Sequence, residues 1–291
     1  MTDFNSLLLY SLYAPTWTAY KKDKKATQQV KELNHVKDDV DAGSFNKMIL
    51  PGCVELDKLK SYIGGTRNEF YLRTAPWGEQ RGMRVGKAED HMERMQWFGD
   101  RVAGLKPLLD AFAAVYLPSI QSLEFELNDM FNPEDYPPVE VVLSKFQLRL
   151  SVVPLPNVND IRVLTEIPDH VKQEIEAQIT ADLQKSYDST VAAAFQQLYT
   201  PLAHMAVTLK GYHDGKIKKL YDSVVENVRT MANAARMMNV SRNADLEKLA
   251  DAAEALVADV TAKDLKESDG TQVIVGKKAQ ELANRIAKFL P

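Results

Sequence analysis

The sequence predicts a mainly α-helical protein, elongated and built from several helices, with a small antiparallel β element near residues 145–165. Long stretches repeat apolar residues at steps of three and four, while only one short run alternates apolar with polar residues. Proline, glycine and asparagine punctuate the chain between these stretches. At 291 residues the chain can bury a sizeable core. The boundary expected from the pattern divides a mixed helical and loop region with the β element, residues 1–165, from a helical bundle region, residues 166–291.

Residues 1–53 are polar and weakly periodic, with Gly43 and Pro51-Gly52 as breakers, and predict short helices and ordered loop. Leu56, Leu59 and Ile63 have helical spacing. Gly64-Gly65 is expected to interrupt or end that helix, leaving Phe70-Tyr71-Leu72 as a short strand. Met95, Phe98, Val102, Leu105, Leu109, Phe112 and Tyr116 form a helical stripe that Pro107 should kink. A second helical segment, with Ile120, Leu123, Leu127 and Met130, follows Pro118.

The period then changes. Phe146, Leu148, Leu150 and Val152 alternate with Gln147, Arg149 and Ser151, the signature of a strand with one buried face, and Ile161 to Leu164 can return as its partner. From Pro168 a helix should run without a break to Thr200. Its apolar residues Val171, Ile175, Ile179, Leu183, Tyr187, Val191 and Phe195 are four apart, so the stripe creeps by roughly 40° per step and its two ends must meet different neighbours. Pro201 should kink it before a stop at Gly211. Further helices are expected over 214–239, from an Asn243 cap to residue 267, and after Ser268-Asp269-Gly270, the last burying Leu282, Ile286 and Phe289. The 214–242 segment is basic and 243–267 acidic, which predicts an antiparallel pair with complementary faces.

Composition bounds function. The hydrophobic share of 45% and charged share of 26% are those of an ordinary globular chain. A net charge of −4 argues against a surface that tracks nucleic acid throughout, though not against a local basic patch. Cys53 is the only cysteine, so no internal disulfide or cysteine-rich zinc site can form, and a reducing cytoplasm is expected. No stretch approaches the ~18 apolar residues of a membrane span, and the first residues lack a signal-peptide pattern.

Tests for catalytic chemistry return nothing specific. Gly82 to Lys87 has one residue too few for a phosphate loop, Gly270 to Lys277 one too many, and neither places Ser or Thr where magnesium needs it. The five histidines are scattered, and Glu89-Asp90-His91-Met92-Glu93 reads as a solvated helix face with Asp90 and Arg94 as neighbours. Cys53 has no adjacent histidine to activate it. The expectation is a protein without catalytic residues, cofactor or metal.

Two clusters remain as candidate interaction residues. Trp17, Tyr20, Lys21, Lys22, Lys24 and Lys25 form one, and Arg73, Trp77, Arg81 and Arg84, with Tyr71, the other. Aromatic rings beside cations suit single-stranded nucleic acid, or a protein interface, where Trp and Arg carry most energy. The plainer alternative packs both tryptophans internally and leaves the lysines solvated. Trp77, in Pro76-Trp77-Gly78, is expected to be a buried anchor.

Five blocks are too particular to be filler: Trp17-Thr18 with the lysine run, Phe45-Asn46-Lys47 before Leu50-Pro51-Gly52, Arg67 leading to Thr74-Ala75-Pro76-Trp77-Gly78, Met130 to Pro137, and Val153 to Val163. Together they resemble a phage-encoded family of uncharacterised proteins often carried beside a MoxR-type AAA ATPase and a von Willebrand A domain protein. The likeness also takes in Lys145-Phe146 and weakens after Leu209. Ala75 and Glu79 depart from the family's more usual Leu and Asp. The resemblance defines no catalytic residue. It implies a non-enzymatic accessory protein in the host cytoplasm, an adaptor or regulator whose partner is an AAA ATPase or a host factor. A single-stranded nucleic-acid-binding protein and an inhibitor of a host defence enzyme are the alternatives.

Overall fold

The computed structural model describes residues 4–37, 39–78, 82–156 and 168–291, and these are mainly α-helical, as the sequence predicts. The strands are β1 (Leu7–Tyr13), β2 (Tyr20–Lys22), β3 (Asn46–Met48), β4 (Ala75–Pro76), β5 (Met83–Lys87) and β6 (Arg149–Pro154). The helices are α1 (Lys24–Leu33), α2 (Val54–Leu72), α3 (His91–Leu127), α4 (Val139–Leu143), α5 (Asp169–His213), α6 (Ser223–Met237), α7 (Ala244–Val257), α8 (Ala262–Glu267) and α9 (Asp269–Ile286). They build two compact units whose segments interleave along the chain: a first of Met1–Leu12, Asn68–Gln96 and Leu150–Pro291, and a second of Tyr13–Arg67 and Trp97–Arg149.

In the first unit the strands form a four-stranded sheet, order β4-β5-β1-β6. β1 runs antiparallel to β5 with Leu9 opposite Val85, and β5 antiparallel to β4. Leu7 and Leu9 enter the main core with Val85 and Trp77, while Tyr10, which alternation directs to the opposite face, is fully buried too. Burial on both faces explains why Leu7-Leu8-Leu9-Tyr10 shows no alternation and why a strand stands where loop and short helix were expected. From Phe146 to Val152 accessibility alternates as predicted, with Gln147, Arg149 and Ser151 exposed. Of the face expected to be buried, however, only Phe146 is buried while Leu148, Leu150 and Val152 are half-buried, and the strand β6 itself starts only at Arg149. Its neighbour in the sheet is β1; the return strand expected at 161–164 lies outside the described residues.

The helix α5 is continuous through 169–200, and it also passes Pro201 and the expected stop at Gly211. Its 45 residues rise roughly 67 Å. Leu198, Leu202, Met205 and Leu209 are all buried, and at about 1.5–3 kcal/mol each they outweigh the ~3 kcal/mol that a proline costs inside a helix. The creeping stripe does change neighbours. Thr190 donates from its hydroxyl to the Pro76 carbonyl on β4 at 2.6 Å, whereas the later residues pack against α6 and α9.

Past His213 the chain does not continue as helix, so α6 starts nine residues later than the pattern predicts. The N–H groups of Lys216 and Ile217 both donate to the Gly211 carbonyl at 2.9 Å, Gly215 takes φ +72°, and Ile217 folds against Gly211. From Ser223 the predicted antiparallel pair appears: Arg236 on α6 donates to Asp251 and Glu254 on α7 at 2.8 and 2.6 Å, and Arg229 to the Val257 carbonyl. Asn243 caps α7 as expected, accepting from Asp245 and Leu246. The single acidic helix expected over 243–267 is two, because a Thr261–Asp264 capping box opens α8 afresh. Ser268 then caps α9, which buries Leu282 and Ile286; Phe289 is partly exposed but stacks flat on Phe195 at 4.6 Å.

Two expectations for the remaining helices are corrected. Gly64-Gly65 does not end α2, and Phe70-Tyr71-Leu72 is its last turn, not a strand. Each helical glycine costs about 1 kcal/mol, less than is gained by burying Leu59, Ile63 and Phe70 completely. Neither Pro107 nor Pro118 divides α3. Both prolines lie on its exposed side, where water can satisfy the carbonyls they leave free, while Phe112 and Tyr116 are buried opposite. The Tyr116 hydroxyl donates to the Pro137 carbonyl at 2.7 Å, and burial, with Tyr136 adding, pushes its pKa up to about 12.

Trp77 is buried, as expected of an anchor, so Trp77→Ala should lower unfolding free energy by about 3–5 kcal/mol in denaturant titration. The glycines give a paired forecast. A methyl group at Gly64 or Gly65 meets nothing within 4 Å, so alanine at each should stabilise by roughly 0.5–1 kcal/mol. At Gly104 the same methyl collides with the Tyr62 hydroxyl, which donates to the Arg101 carbonyl at 2.9 Å, so alanine there should destabilise by about 1–3 kcal/mol.

Candidate interaction site

The first candidate cluster lies in the second unit on a two-stranded ribbon, β2 against β3, in the register Tyr20↔Met48, Lys21↔Lys47, Lys22↔Asn46. Strand alternation divides these six residues between two faces. Lys21 and Lys47 converge on the buried carboxylate of Asp135 at 2.6 and 2.5 Å, and Lys47 also donates to the Met130 carbonyl at 2.8 Å. Tyr20, Met48, Lys22 and Asn46 occupy the other face, and all four are exposed. Three of the five particular sequence blocks therefore meet at one carboxylate.

Asp135 is positioned locally by Asn132, whose side chain accepts from Glu134 N–H and opens the short turn Pro133–Asp135, with Phe131 and Tyr136 stacked at 5.2 Å. Burial pushes the Asp135 pKa up, but the hydrogen bonds and charges of Lys21 and Lys47 outweigh it and hold it below the ordinary carboxylate value.

The ribbon leads directly into α1. Asp23 caps this helix by accepting from Ala26 N–H at 2.9 Å, and Asp23 N–H donates to the Phe45 carbonyl. No residue of α1 is buried. Ala26, Val30 and Leu33 nevertheless line one side at helical spacing, with Val30 51% and Leu33 79% exposed. Lys24 and Lys25 stand in the first turn, the positive pole, where cations work against the helix. Neither they nor Lys22 has an acidic partner among the described residues.

Trp17 is half-buried, edge-on to Tyr116 with ring centres 6.4 Å apart. The second cluster, in the first unit, is turned inward. Arg84 donates to the Thr74 hydroxyl at 2.7 Å, to the Tyr71 carbonyl at 2.9 Å and to the Thr74 carbonyl, and it lies over the Tyr71 ring. Burial lowers its pKa to about 10, against a smaller raising influence of Tyr71, so it stays charged at neutral pH. Arg73 faces Glu93 at 3.5 Å, Trp77 belongs to the core, and Arg81 lies outside the described residues.

One constellation escapes the sequence pattern. Arg94 keeps Asp90 at 4.0 Å but is not on a solvated face: it is 4% exposed, lies over Tyr10 and donates to its hydroxyl at 2.9 Å. The same hydroxyl is 3.1 Å from His91 Nδ1. Gly86 makes room, since a methyl there would stand 2.7 Å from the guanidinium. Arg94 Nε has no hydrogen-bond partner among the described residues, and a small pocket lined by Arg73, Asp90, Glu93 and Met237 adjoins the side chain. Nothing near Arg94 in sequence signals this, because its partner Tyr10 belongs to β1.

No group of three or more metal-ligating side chains gathers among the described residues, and none of their helices is long and apolar enough to cross a membrane. No protein-family model, curated protein or solved structure matches the chain.

The Asp135 geometry sets a pH dependence. A carboxyl with a lowered folded pKa contributes stability that is complete above its unfolded value of about 3.9 and is lost as pH falls through the lower folded value. Asp135→Asn should cost about 2 kcal/mol at neutral pH, moderated by the half-exposed Lys21, and should flatten the acid limb of stability measured by urea unfolding from about pH 5 downward.

Proposed function

We propose that this chain acts by binding, docking a protein partner on the outer face of the β2–β3 ribbon and the adjoining side of α1. The observation that carries this reading is a ten-residue helix that buries none of its residues while presenting Val30 and Leu33 on one side. A helix this short is marginal by itself in water, and an apolar side without a cover is what a partner supplies. Tyr20 and Met48 add exposed apolar groups on the ribbon, where Lys22 shares their face, and Lys25 stands about 100° round α1 from its apolar side. Such a surface suits a segment that combines acidic and apolar side chains. The resemblance noted from the sequence makes an AAA ATPase or a host factor the partner of first choice, with this chain as adaptor or regulator; inhibition of a host enzyme uses the same surface.

Single-stranded nucleic acid is the second reading, favoured by Tyr20 sharing a face with Lys22, which like Lys24 and Lys25 has no acidic partner among the described residues. It loses support from Trp77, which belongs to the core and is unavailable for stacking bases, whereas Trp17 is half-buried against Tyr116.

Tagged protein carrying Val30→Asp and Leu33→Asp, or Lys22, Lys24 and Lys25 all changed to Glu, should keep the wild-type thermal midpoint and lose its captured partner from cell extract, with or without nuclease. Retention of the partner by both variants would overturn the assignment of this surface. Oligonucleotide binding at low salt, falling with a log–log slope of about −2 for three phosphate contacts and abolished by the lysine changes, would install the second reading instead.

A further inference from the structure

The first unit holds a groove that none of the residues discussed above explains. Helices α7 and α9 pack against each other, and between them the surface opens into a cavity of about 350 Å³, within the range of sites that seat a ligand. Its floor is apolar. Ala252 and Leu256 of α7 are half-buried and rest on the main core, to which Leu282 of α9 belongs, while Ala255 beside them is exposed.

Charge borders this floor along α9. Lys278, Glu281 and Arg285 line the cavity with Leu282, and all three are exposed. Helical geometry puts these four residues, and Ile274 one turn before Lys278, within an arc of about 100°; Ile274 is 56% exposed and lengthens the apolar surface. Glu281 stands three residues after Lys278 and four before Arg285, spacings at which ion pairs form on a helix. Neither pair closes, and none of the three has an ion-pair partner among the described residues. The carboxylates nearest in sequence on the facing helix are already committed, because Asp251 and Glu254 bind Arg236 on α6. The cavity therefore presents two open cations and one open carboxylate around an apolar floor.

We propose that this groove docks an amphipathic helix of a partner protein, apolar on the side that enters the cavity and acidic along one flank. Lys278 and Arg285 are seven residues apart, a rise of roughly 10.5 Å. The matching carboxylates on a helix lying along α9 are then also seven residues apart, with a basic residue between them to meet Glu281. Charges that flank an apolar seam in this way set partner choice and orientation in helix pairs, and an apolar groove is a common seat for a single helix. The exposed rim favours a helix over a small molecule, which needs most of its surface enclosed. The inference concerns the first unit alone and does not depend on the ribbon surface.

Fluorescence anisotropy on the full chain with two synthetic helical peptides tests it. Both carry leucine at alternating steps of three and four; one has glutamate at flanking positions seven apart, and its twin has lysine there. The glutamate peptide should bind about tenfold more tightly than its twin, and the difference should shrink as salt rises. Lys278→Glu with Arg285→Glu, both at exposed positions, should reverse the preference. Ala255→Trp fills the cavity from an exposed position and should weaken binding of the glutamate peptide by about tenfold or more with an unchanged thermal midpoint. Changing Lys22, Lys24 and Lys25 to Glu should leave peptide binding as it is, which separates this groove from the ribbon surface. No binding, equal binding of the two peptides, or a preference that survives the double change overturns the inference, as does binding lost only through the ribbon lysines. Self-association of the wild type in sedimentation velocity, abolished by Ala255→Trp, gives the groove to a second copy of the chain and overturns it as well.

Discussion

The second unit hangs on the carboxylate of Asp135. Removing a carboxylate from water is expensive unless cations and hydrogen bonds replace its hydration, and here both cations come from a ribbon of three-residue strands too short to hold itself together. Lys21 and Lys47 are opposite one another in the register, so a single acceptor fixes both strands and their pairing. Asp23, 3.9 Å from Lys47, adds a second negative charge and caps α1, which links helix and ribbon to the same group of charges. The inner face is thereby committed, and the outer face is left to the solvent or to whatever covers it.

The first unit uses a buried charge in another way. Arg94 is held by a phenol, a carbonyl and the face of an aromatic ring, with one carboxylate at the limit of ion-pair distance. A guanidinium tolerates this because it is weakly hydrated and can stack. The cost falls on the strand beneath it, where any side chain at position 86 would displace the guanidinium. Charge burial thus dictates backbone identity on β5, whereas around Asp135 it dictates strand register.

What could be read in the sequence followed from how local each signal was. The α5 stripe, the Asn243 cap, the complementary α6 and α7 faces and the alternation from Phe146 to Val152 depend on residues close to one another, and all appear as expected. Elements decided by distant partners did not show. Leu7 to Tyr10 has no alternation because both faces are covered, and Arg94 looks like a surface residue until Tyr10 is placed over it. Breakers were over-read for a related reason. Gly64, Gly65, Pro107 and Pro118 each weaken a helix by an amount that buried neighbours exceed. At the candidate site the lysine run was visible, but its division into a pinned Lys21 and Lys22, Lys24 and Lys25 without acidic partners among the described residues depends on Asp135, which lies in a different block.

The interleaving of the two units has a consequence for synthesis. The second unit is complete once residue 149 has left the ribosome, so its ribbon, α1 and most of α3 can assemble while the remaining chain is still being made. Leu7 and Leu9 emerge before any of it, yet most of their core companions are on α5, α6, α7 and α9. Strand β1 therefore waits for helices made long after it, with Ala75, Trp77 and Val85 the core companions that precede residue 150. In that interval Leu7-Leu8-Leu9-Tyr10 is a natural segment for a chaperone to hold, and the speed of translation through residues 169–286 governs how long it must be held.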